Sequence, residues 1–286
     1  MRLKICILAS GSAGNSIHVA SDTTDILIDA GLSGRQIEAR LGTIGKKVEN
    51  VDAVLISHEH SDHIRGLRFI DKKTSIPVYL NSATSRAVKD RGFPLSRARI
   101  FTNNSPFTLG DIRVTPFSVT HDASDPVGFA VYAGEVKISI ATDLGHATHL
   151  VKDMLRGSHA IVIEANHDPR LLRDHPRPWA LKQRIKSRQG HLSNESAASL
   201  IEEVATEKLQ AVFLAHISSD CNRPHIGIEK ISRSLARLGF GETAVIATCY
   251  ERPTGVFEIS ADNDGGGAPA RYTDKETLQG THIEEE

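Results

Sequence analysis

Short apolar runs, each closed by turn residues, set the pattern of this chain. Residues 3–9 are apolar except for Lys4 and predict a strand. Gly11-Ser12-Ala13-Gly14-Asn15 then reads as a turn. Residues 16–20 and 26–28 resume strand character, and Asp29-Ala30-Gly31 ends that run. A short helix is predicted over 34–41, with Ile37 and Leu41 on its buried side. The unbroken hydrophobicity of 53–57 predicts a strand buried on both faces. Strands at 78–80, 112–114, 117–119, 128–133 and 136–140 follow at short spacing, with a helix over 82–90 among them.

From residue 146 the pattern changes to alternation. Helices over 148–156, 193–207 and 227–238 precede strands at 160–163, 211–215 and 244–250 respectively. Ala197, Leu200, Ile201 and Val204 keep the helical period, and Ser193 suits the N-cap. An α/β fold fits this order: a four-layer αββα sandwich, with two mixed sheets face to face and helices outside. Residues 1–260 are expected to form one domain. The triple glycine at 265–267 and the terminal Glu284-Glu285-Glu286 predict a disordered polar and acidic tail over 261–286.

Composition narrows the function classes. Of 286 residues 40% are hydrophobic, enough for a sizeable core. Lys and Arg number 34 against 35 Asp and Glu, so any nucleic-acid surface must be local. Cys6, Cys221 and Cys249 make neither a disulfide framework nor a CxxC pair, which fits a reducing compartment. No apolar run approaches the roughly 18 residues of a membrane span. The apolar N-terminal stretch gives way at Gly11, too early for a signal peptide. A cytoplasmic location with no membrane partner is expected.

Histidine stands out, with 14 in the chain. His58-Glu59-His60-Ser61-Asp62-His63 follows directly on the 53–57 strand and gathers three imidazoles and two carboxylates. These are natural ligands for zinc, manganese or iron. A loop there can point His58 and His60 at one ion and Asp62 and His63 at a second. His121, Asp143 and His216 each follow an apolar strand, and His191 precedes a helix. Chains that gather ligands from distant strands show this pattern.

The hexapeptide matches the HxHxDH signature of the metallo-β-lactamase fold superfamily, which the chain resembles over residues 1–258. Ser10-Gly11-Ser12-Ala13-Gly14-Asn15-Ser16, Glu164-Ala165-Asn166-His167-Asp168, Gly190-His191-Leu192-Ser193-Asn194-Glu195 and His216-Ile217-Ser218 resemble its WalJ/YycJ-like branch. That branch comprises metal-dependent DNA-processing hydrolases, in part 5′–3′ exonucleases. The resemblance implies two divalent metal ions, zinc foremost, with manganese or iron as alternatives. It implies that His58, His60 and His121 hold the first ion, that Asp62, His63 and His216 hold the second, and that Asp143 bridges them. The implied catalytic set is His191, Glu164 and Asp62, with His191 beside the scissile phosphate and Glu164 orienting it. Asp29 is implied to tie down the metal loop through hydrogen bonds. Ser12, Asn15, Asn166 and Ser218 are implied substrate contacts.

Physical logic agrees with these roles. Two divalent cations outweigh Asp62 and Asp143, so the centre stays positive and suits an anionic phosphodiester. A leaving alkoxide still needs a proton, which His191 paired with Glu164 can give. The stretch 166–191 carries Arg170, Arg173, Arg177, Lys182, Arg184, Lys186 and Arg188 against only Asp168 and Asp174. It also holds the one tryptophan, Trp179. Either Arg184 and Arg188 guide a nucleic-acid strand toward His191, or the stretch is a solvated helix face with Trp179 buried beside Leu181 and Ile185.

The expected function is a dinuclear metal-dependent phosphodiesterase or nuclease acting on DNA, in the manner of a 5′–3′ exonuclease. Two alternatives stay open. One is a small-molecule hydrolase on the same fold: a lactonase, thioesterase or cyclic-nucleotide phosphodiesterase. The other is a non-catalytic, metal-bound nucleic-acid-binding module. The chain lacks a long flexible arm of the kind that binds tRNA in the tRNA-processing relatives. Cys221 does not stand where true β-lactamases keep a ligand cysteine, so antibiotic hydrolysis is not expected.

Overall fold

The computed structural model describes residues 1–261 together with Arg271 and Tyr272. The first half runs β1 (Arg2–Ala9), β2 (Ser16–Ala20), β3 (Asp25–Ile28), α1 (Gly34–Gly42), β4 (Ala53–Leu55), α2 (Ser61–Ile64), α3 (Leu67–Lys73), β5 (Val78–Leu80), α4 (Ser82–Asp90) and β6 (Ala98–Ile100). Next come β7 (Phe107–Leu109), β8 (Ile112–Ser118), β9 (Val127–Ala133), β10 (Val136–Ala141), α5 (His149–Leu155) and β11 (Ala160–Glu164). The rest is α6 (Pro169–Asp174), α7 (Trp179–Lys186), α8 (Asn194–Val204), β12 (Ala211–Ala215), α9 (Pro224–Arg237), β13 (Ala244–Ala247), β14 (Val256–Ser260) and β15 (Arg271–Tyr272).

One sheet has the order β15-β14-β1-β2-β3-β4-β5-β6, the other β13-β12-β11-β10-β9-β8-β7. In the first, antiparallel pairing gives way to parallel pairing between β3 and β4. In the second the change comes between β10 and β11. The strands alternate between two apolar environments. Leu3, Ile5 and Ile7 of β1 pack between the sheets, while Cys6 and Leu8 pack beneath α1. Phe213 of β12 points between the sheets, and Val212 and Leu214 pack with Leu200 of α8 and Ile231 of α9. Strands covered on both faces read as unbroken apolar runs, which is why the sequence displayed them. The αββα sandwich is the observed architecture.

Departures from the sequence reading have local causes. The two short strands expected at 112–114 and 117–119 are one strand, β8. Pro116 interrupts the pattern there, but β7 pairs with β8 only as far as Val114. Pro116 therefore deprives no neighbour of a ladder hydrogen bond on that side. The strands β6 and β7 escape the sequence pattern because each is three residues long, too short to form an apolar run, and β6 is largely exposed. The expected strand at 244–250 ends at Ala247. Of the expected tail, only Ala261, Arg271 and Tyr272 fall among the described residues, and β15 pairs antiparallel with β14.

The topology gathers chemistry at one kind of place. Asp29 follows β3, His58 lies just past β4, His121 past β8, Asp143 past β10 and His216 past β12, while Glu164 ends β11. Ligands of open α/β sheets bind outside the carboxyl ends of strands.

Candidate metal centre

Among the described residues four non-glycine residues adopt left-handed backbone, and three of them are Asp29 (φ 62°), Asp143 (φ 52°) and His216 (φ 52°). Each turns the chain sharply at the end of its strand. Such backbone costs about 1–2 kcal/mol per residue and persists only where the surroundings over-determine it.

Hydrogen bonds orient the imidazoles. The His63 Nδ1 lies 2.7 Å from Asp29 Oδ2. The Ser57 hydroxyl donates to the same carboxylate at 2.8 Å, and the Ser57 N–H donates to its other oxygen at 2.8 Å. The His58 Nδ1 in turn lies 2.9 Å from Ser57 Oγ. His121 Nδ1 donates to the Gly190 carbonyl at 3.2 Å, and His216 Nδ1 to Glu164 Oε1 at 3.0 Å. Four imidazoles thus commit Nδ1 outward and aim Nε2 inward.

The inward atoms converge. Asp143 Oδ2 is 3.2 Å from His63 Nε2, and Asp143 Oδ1 is 3.6 Å from His216 Nε2 and 3.9 Å from His121 Nε2. Asp62 Oδ2 is 3.5 Å from His63 Nε2 and 3.8 Å from His216 Nε2. The His60 ring stands 4.6 Å from that of His58 and 5.1 Å from that of His121, centroid to centroid. His58 Nε2 and His216 Nε2 are buried without a hydrogen-bond partner, and Asp143 Oδ2 is buried with only the His63 ring nitrogen near it. Lone pairs of carboxylate and imidazole facing one another demand a proton or a cation between them. Two ligand atoms bound to one tetrahedral zinc, each at about 2.0–2.1 Å, stand about 3.4 Å apart. These residues fit the group: the cluster has the capacity for one or two divalent ions.

Protonation follows from the same packing. Burial opposes charge on His63, but Asp29 and Asp143 hold its pKa well above the ordinary imidazole value. Burial likewise opposes charge on His216, and Asp143, Asp62 and Glu164 outweigh it. At His58, burial and then His63 push the pKa well down. Both imidazoles therefore favour the protonated form, and a metal ion has to displace those protons. Zinc binding to the metal-free protein is expected to release protons, with affinity rising as pH rises. Calorimetry in buffers of different ionisation enthalpy measures this, and binding without proton release would contradict it.

The loop that carries α2 is clamped from below. Asn15 N–H donates to Asp62 O at 2.7 Å, Gly31 N–H to Asn15 O at 2.8 Å and Ala30 N–H to His63 O at 2.8 Å. The Asn15 amide, 4% exposed, also donates to Asp62 Oδ2 at 3.2 Å. A Cβ on Gly31 would stand 1.6 Å from the Asp62 carbonyl oxygen. Backbone meets backbone there, so no side chain can swing aside. Gly31→Ala is expected to destabilise the fold by about 3 kcal/mol or more and to displace Asp62 and His63. Thermal denaturation with and without zinc checks this; wild-type stability and wild-type stabilisation by zinc would refute it.

Glu164 is fully buried and has four partners. Its Oε1 lies 2.7 Å from His191 Nδ1 as well as 3.0 Å from His216 Nδ1, and Oε2 accepts N–H groups from Leu144 and Leu192. Burial opposes its charge, but His191 and His216 lower its pKa to about 2. His191 borders a cavity of about 280 Å³ whose wall also includes Ser12, Asn166, Arg177, Arg184 and Ser218. Asn15 and Arg188 do not line it. Trp179 is 75% exposed, so the reading that buried it beside Leu181 and Ile185 is corrected. Ile185 packs with Leu172 and Cys221, and Leu181 packs against them, without Trp179.

Sequence reasoning missed several residues here. Ser57 relays between Asp29 and His58 and reads from sequence as the end of a strand. The Gly190 carbonyl sets His121, and a backbone group leaves no sequence signal. Glu59 stands in the hexapeptide, but its carboxylate accepts from the N–H and hydroxyl of Ser124, tying the two ligand loops together. Among the described residues no helix is long and apolar enough to cross a membrane.

A β-lactamase superfamily domain model matches residues 24–217. The chain is similar to an exodeoxyribonuclease YycJ of Bacillus anthracis, 38% identical over 243 residues that cover 84% of this chain and 92% of the relative. It is also similar to an exodeoxyribonuclease WalJ of Streptococcus pneumoniae, 35% identical over 242 residues that cover 83% of this chain and 90% of the relative. Its fold is similar to that of the metallo-β-lactamase fold protein YhfI from Bacillus subtilis, with a TM-score of 0.67 and 16% identity over 90% of this chain and 99% of that one.

Proposed function

Because this chain belongs to the metallo-β-lactamase superfamily, as a metal-dependent hydrolase related to the WalJ/YycJ-like exonuclease branch, we propose that it cleaves phosphodiester bonds in DNA from a chain end. One observation carries the reading: the His191–Glu164 pair, beside the ligand cluster, opens onto a cavity walled by two guanidinium groups. The two relatives named as exodeoxyribonucleases, aligned over most of their length, support DNA as the substrate.

In this reading His58, His60 and His121 would hold one ion and Asp62, His63 and His216 the other, with Asp143 serving both. Zinc is the first candidate, ahead of manganese and iron. Bound divalent ions supply Lewis acidity and a water of lowered pKa. His191 donates a proton from Nε2 to the leaving oxygen, while Glu164 holds its Nδ1–H. Glu164 cannot swing away, because the N–H groups of Leu144 and Leu192 fix its other oxygen. Arg177 and Arg184 bind flanking phosphates, and Ser12, Asn166 and Ser218 add hydroxyl and amide donors. The free thiols Cys6, Cys221 and Cys249 suit the cytoplasm.

Metal-stripped protein, refilled separately with zinc and manganese and given end-labelled DNA and RNA, tests the proposal. Metal-dependent loss of nucleotides from DNA ends is expected. Reconstituted protein that cleaves neither nucleic acid would overturn the reading in favour of a small-molecule hydrolase.

A further inference from the structure

Two carboxylates that have no part in the chemistry above each hold one of the cavity's arginines, and one of them, Asp122, itself lines the cavity. Arg184 Nε donates to Asp122 Oδ2 at 2.8 Å, and its Nη2 donates to the same oxygen. Arg177 Nη2 donates to Asp220 Oδ2 at 2.6 Å. Asp122 directly follows His121, and its Oδ1 lies 3.3 Å from His121 Nε2. Asp122 and Arg184 both line the cavity that His191 borders. A guanidinium fork closed on an oxygen at the edge of the ligand cluster has the geometry of a phosphate contact. Here a carboxylate of the chain itself occupies it.

We propose that Asp122 stands in for a DNA phosphate at Arg184, holding the guanidinium at the cavity wall until a substrate phosphate takes it over. This rests on the reading of the site as a DNA phosphodiesterase. The exchange is energetically easy. The Arg184 side chain is 65% exposed and that of Asp122 30%, and an ion pair so open to water shifts an equilibrium by less than about fivefold. Phosphate offers the same fork more charge and more oxygens, and bidentate charge-assisted bonds are the strong ones. Position is already fixed. Ile185, the next residue of α7, is buried, and its carbonyl accepts the His191 N–H at 2.9 Å. Arg184 therefore keeps a constant register to His191 whichever anion it holds. Asp122 also balances a guanidinium that would otherwise stand uncompensated near bound cations, and it makes weakly binding anions compete with a tethered one.

The test is binding of a fluorescent, phosphorothioate-linked single-stranded DNA to zinc-loaded protein, read by anisotropy, with zinc content measured for each variant. Asp122→Asn is expected to bind about two- to fivefold more tightly than wild type, because Arg184 is released. Arg184→Gln is expected to bind about tenfold more weakly or worse. The double variant is expected to bind no more tightly than Arg184→Gln alone, since Asp122 acts only through that arginine. Asp122→Ser removes the carboxylate a second way and is expected to repeat the Asn result. Unchanged or weaker binding in both Asp122 variants would overturn the exchange. So would tightening that survives without Arg184, or zinc lost from the Asp122 variants. A wild-type protein that binds no DNA overturns the DNA reading itself, whereas wild-type binding with unresponsive Asp122 variants overturns the exchange alone.

Discussion

Asp143→Ala is expected to lower hydrolysis by about 10³-fold or more and to leave less metal on the chain than wild type. Asp143 is 3% exposed. It approaches His63, His216 and His121, which come from three separate segments. Several kcal/mol of Lewis-acid stabilisation depend on ions held in register, and about 4 kcal/mol corresponds to 10³ in rate. Alanine also tolerates the left-handed backbone at 143 poorly. Asp143→Asn separates the two effects, since asparagine accepts that conformation but brings no charge. It is expected to keep the fold and still lose metal. Elemental analysis with initial rates measures both, and full metal occupancy in either variant would contradict the role of Asp143.

His191→Ala is the second large effect. A drop in kcat of about 10²–10⁴-fold is expected, with metal content unchanged. The His191 Nδ1 is engaged by Glu164, and the ring stacks on that of His216 at 5.0 Å between centroids. Burial opposes charge on His191, but Glu164 outweighs it and raises the pKa above the ordinary imidazole value. A proton donor must be protonated, so the rate is expected to fall as pH rises through that raised pKa. Glu164→Gln removes the charge that raises it, so the alkaline limb is expected to move to lower pH. Because Glu164 also holds His216, this variant should lose metal affinity by about 10–100-fold as well. A pH–rate profile with a metal titration distinguishes the two. Wild-type kcat in His191→Ala would reject proton donation by His191.

Much of the site was legible because the fold writes it locally. The apolar run through β4 stops at Ser57, and the hexapeptide beyond it, which leads from a loop into α2, keeps ligand spacing within six residues. Asp143 and His216 could be picked out because β10 and β12 are covered on both faces and show as apolar runs that stop abruptly. What the sequence hid depends on approach in three dimensions. The Gly190 carbonyl sets His121 across 69 residues, and the Arg184–Asp122 pair spans 62. Neither leaves a mark on composition or period. Asn15, expected at the substrate, lies under the metal loop because its backbone bonds to Asp62 and Gly31. β6 and β7 escaped for the opposite reason: at three residues each they are too short to display a period. Trp179 was ambiguous because a helix starting in basic surroundings can turn an aromatic either way, and the short α7 buries Ile185 instead.

The most direct measurement is the number of divalent ions retained by the wild-type chain after stripping, reloading with zinc and removal of excess, read by inductively coupled plasma mass spectrometry. About two ions per chain are predicted, as expected for a ligand set of this kind. A carefully reloaded chain that retains none would show that the inward-facing imidazoles and carboxylates are satisfied by protons alone.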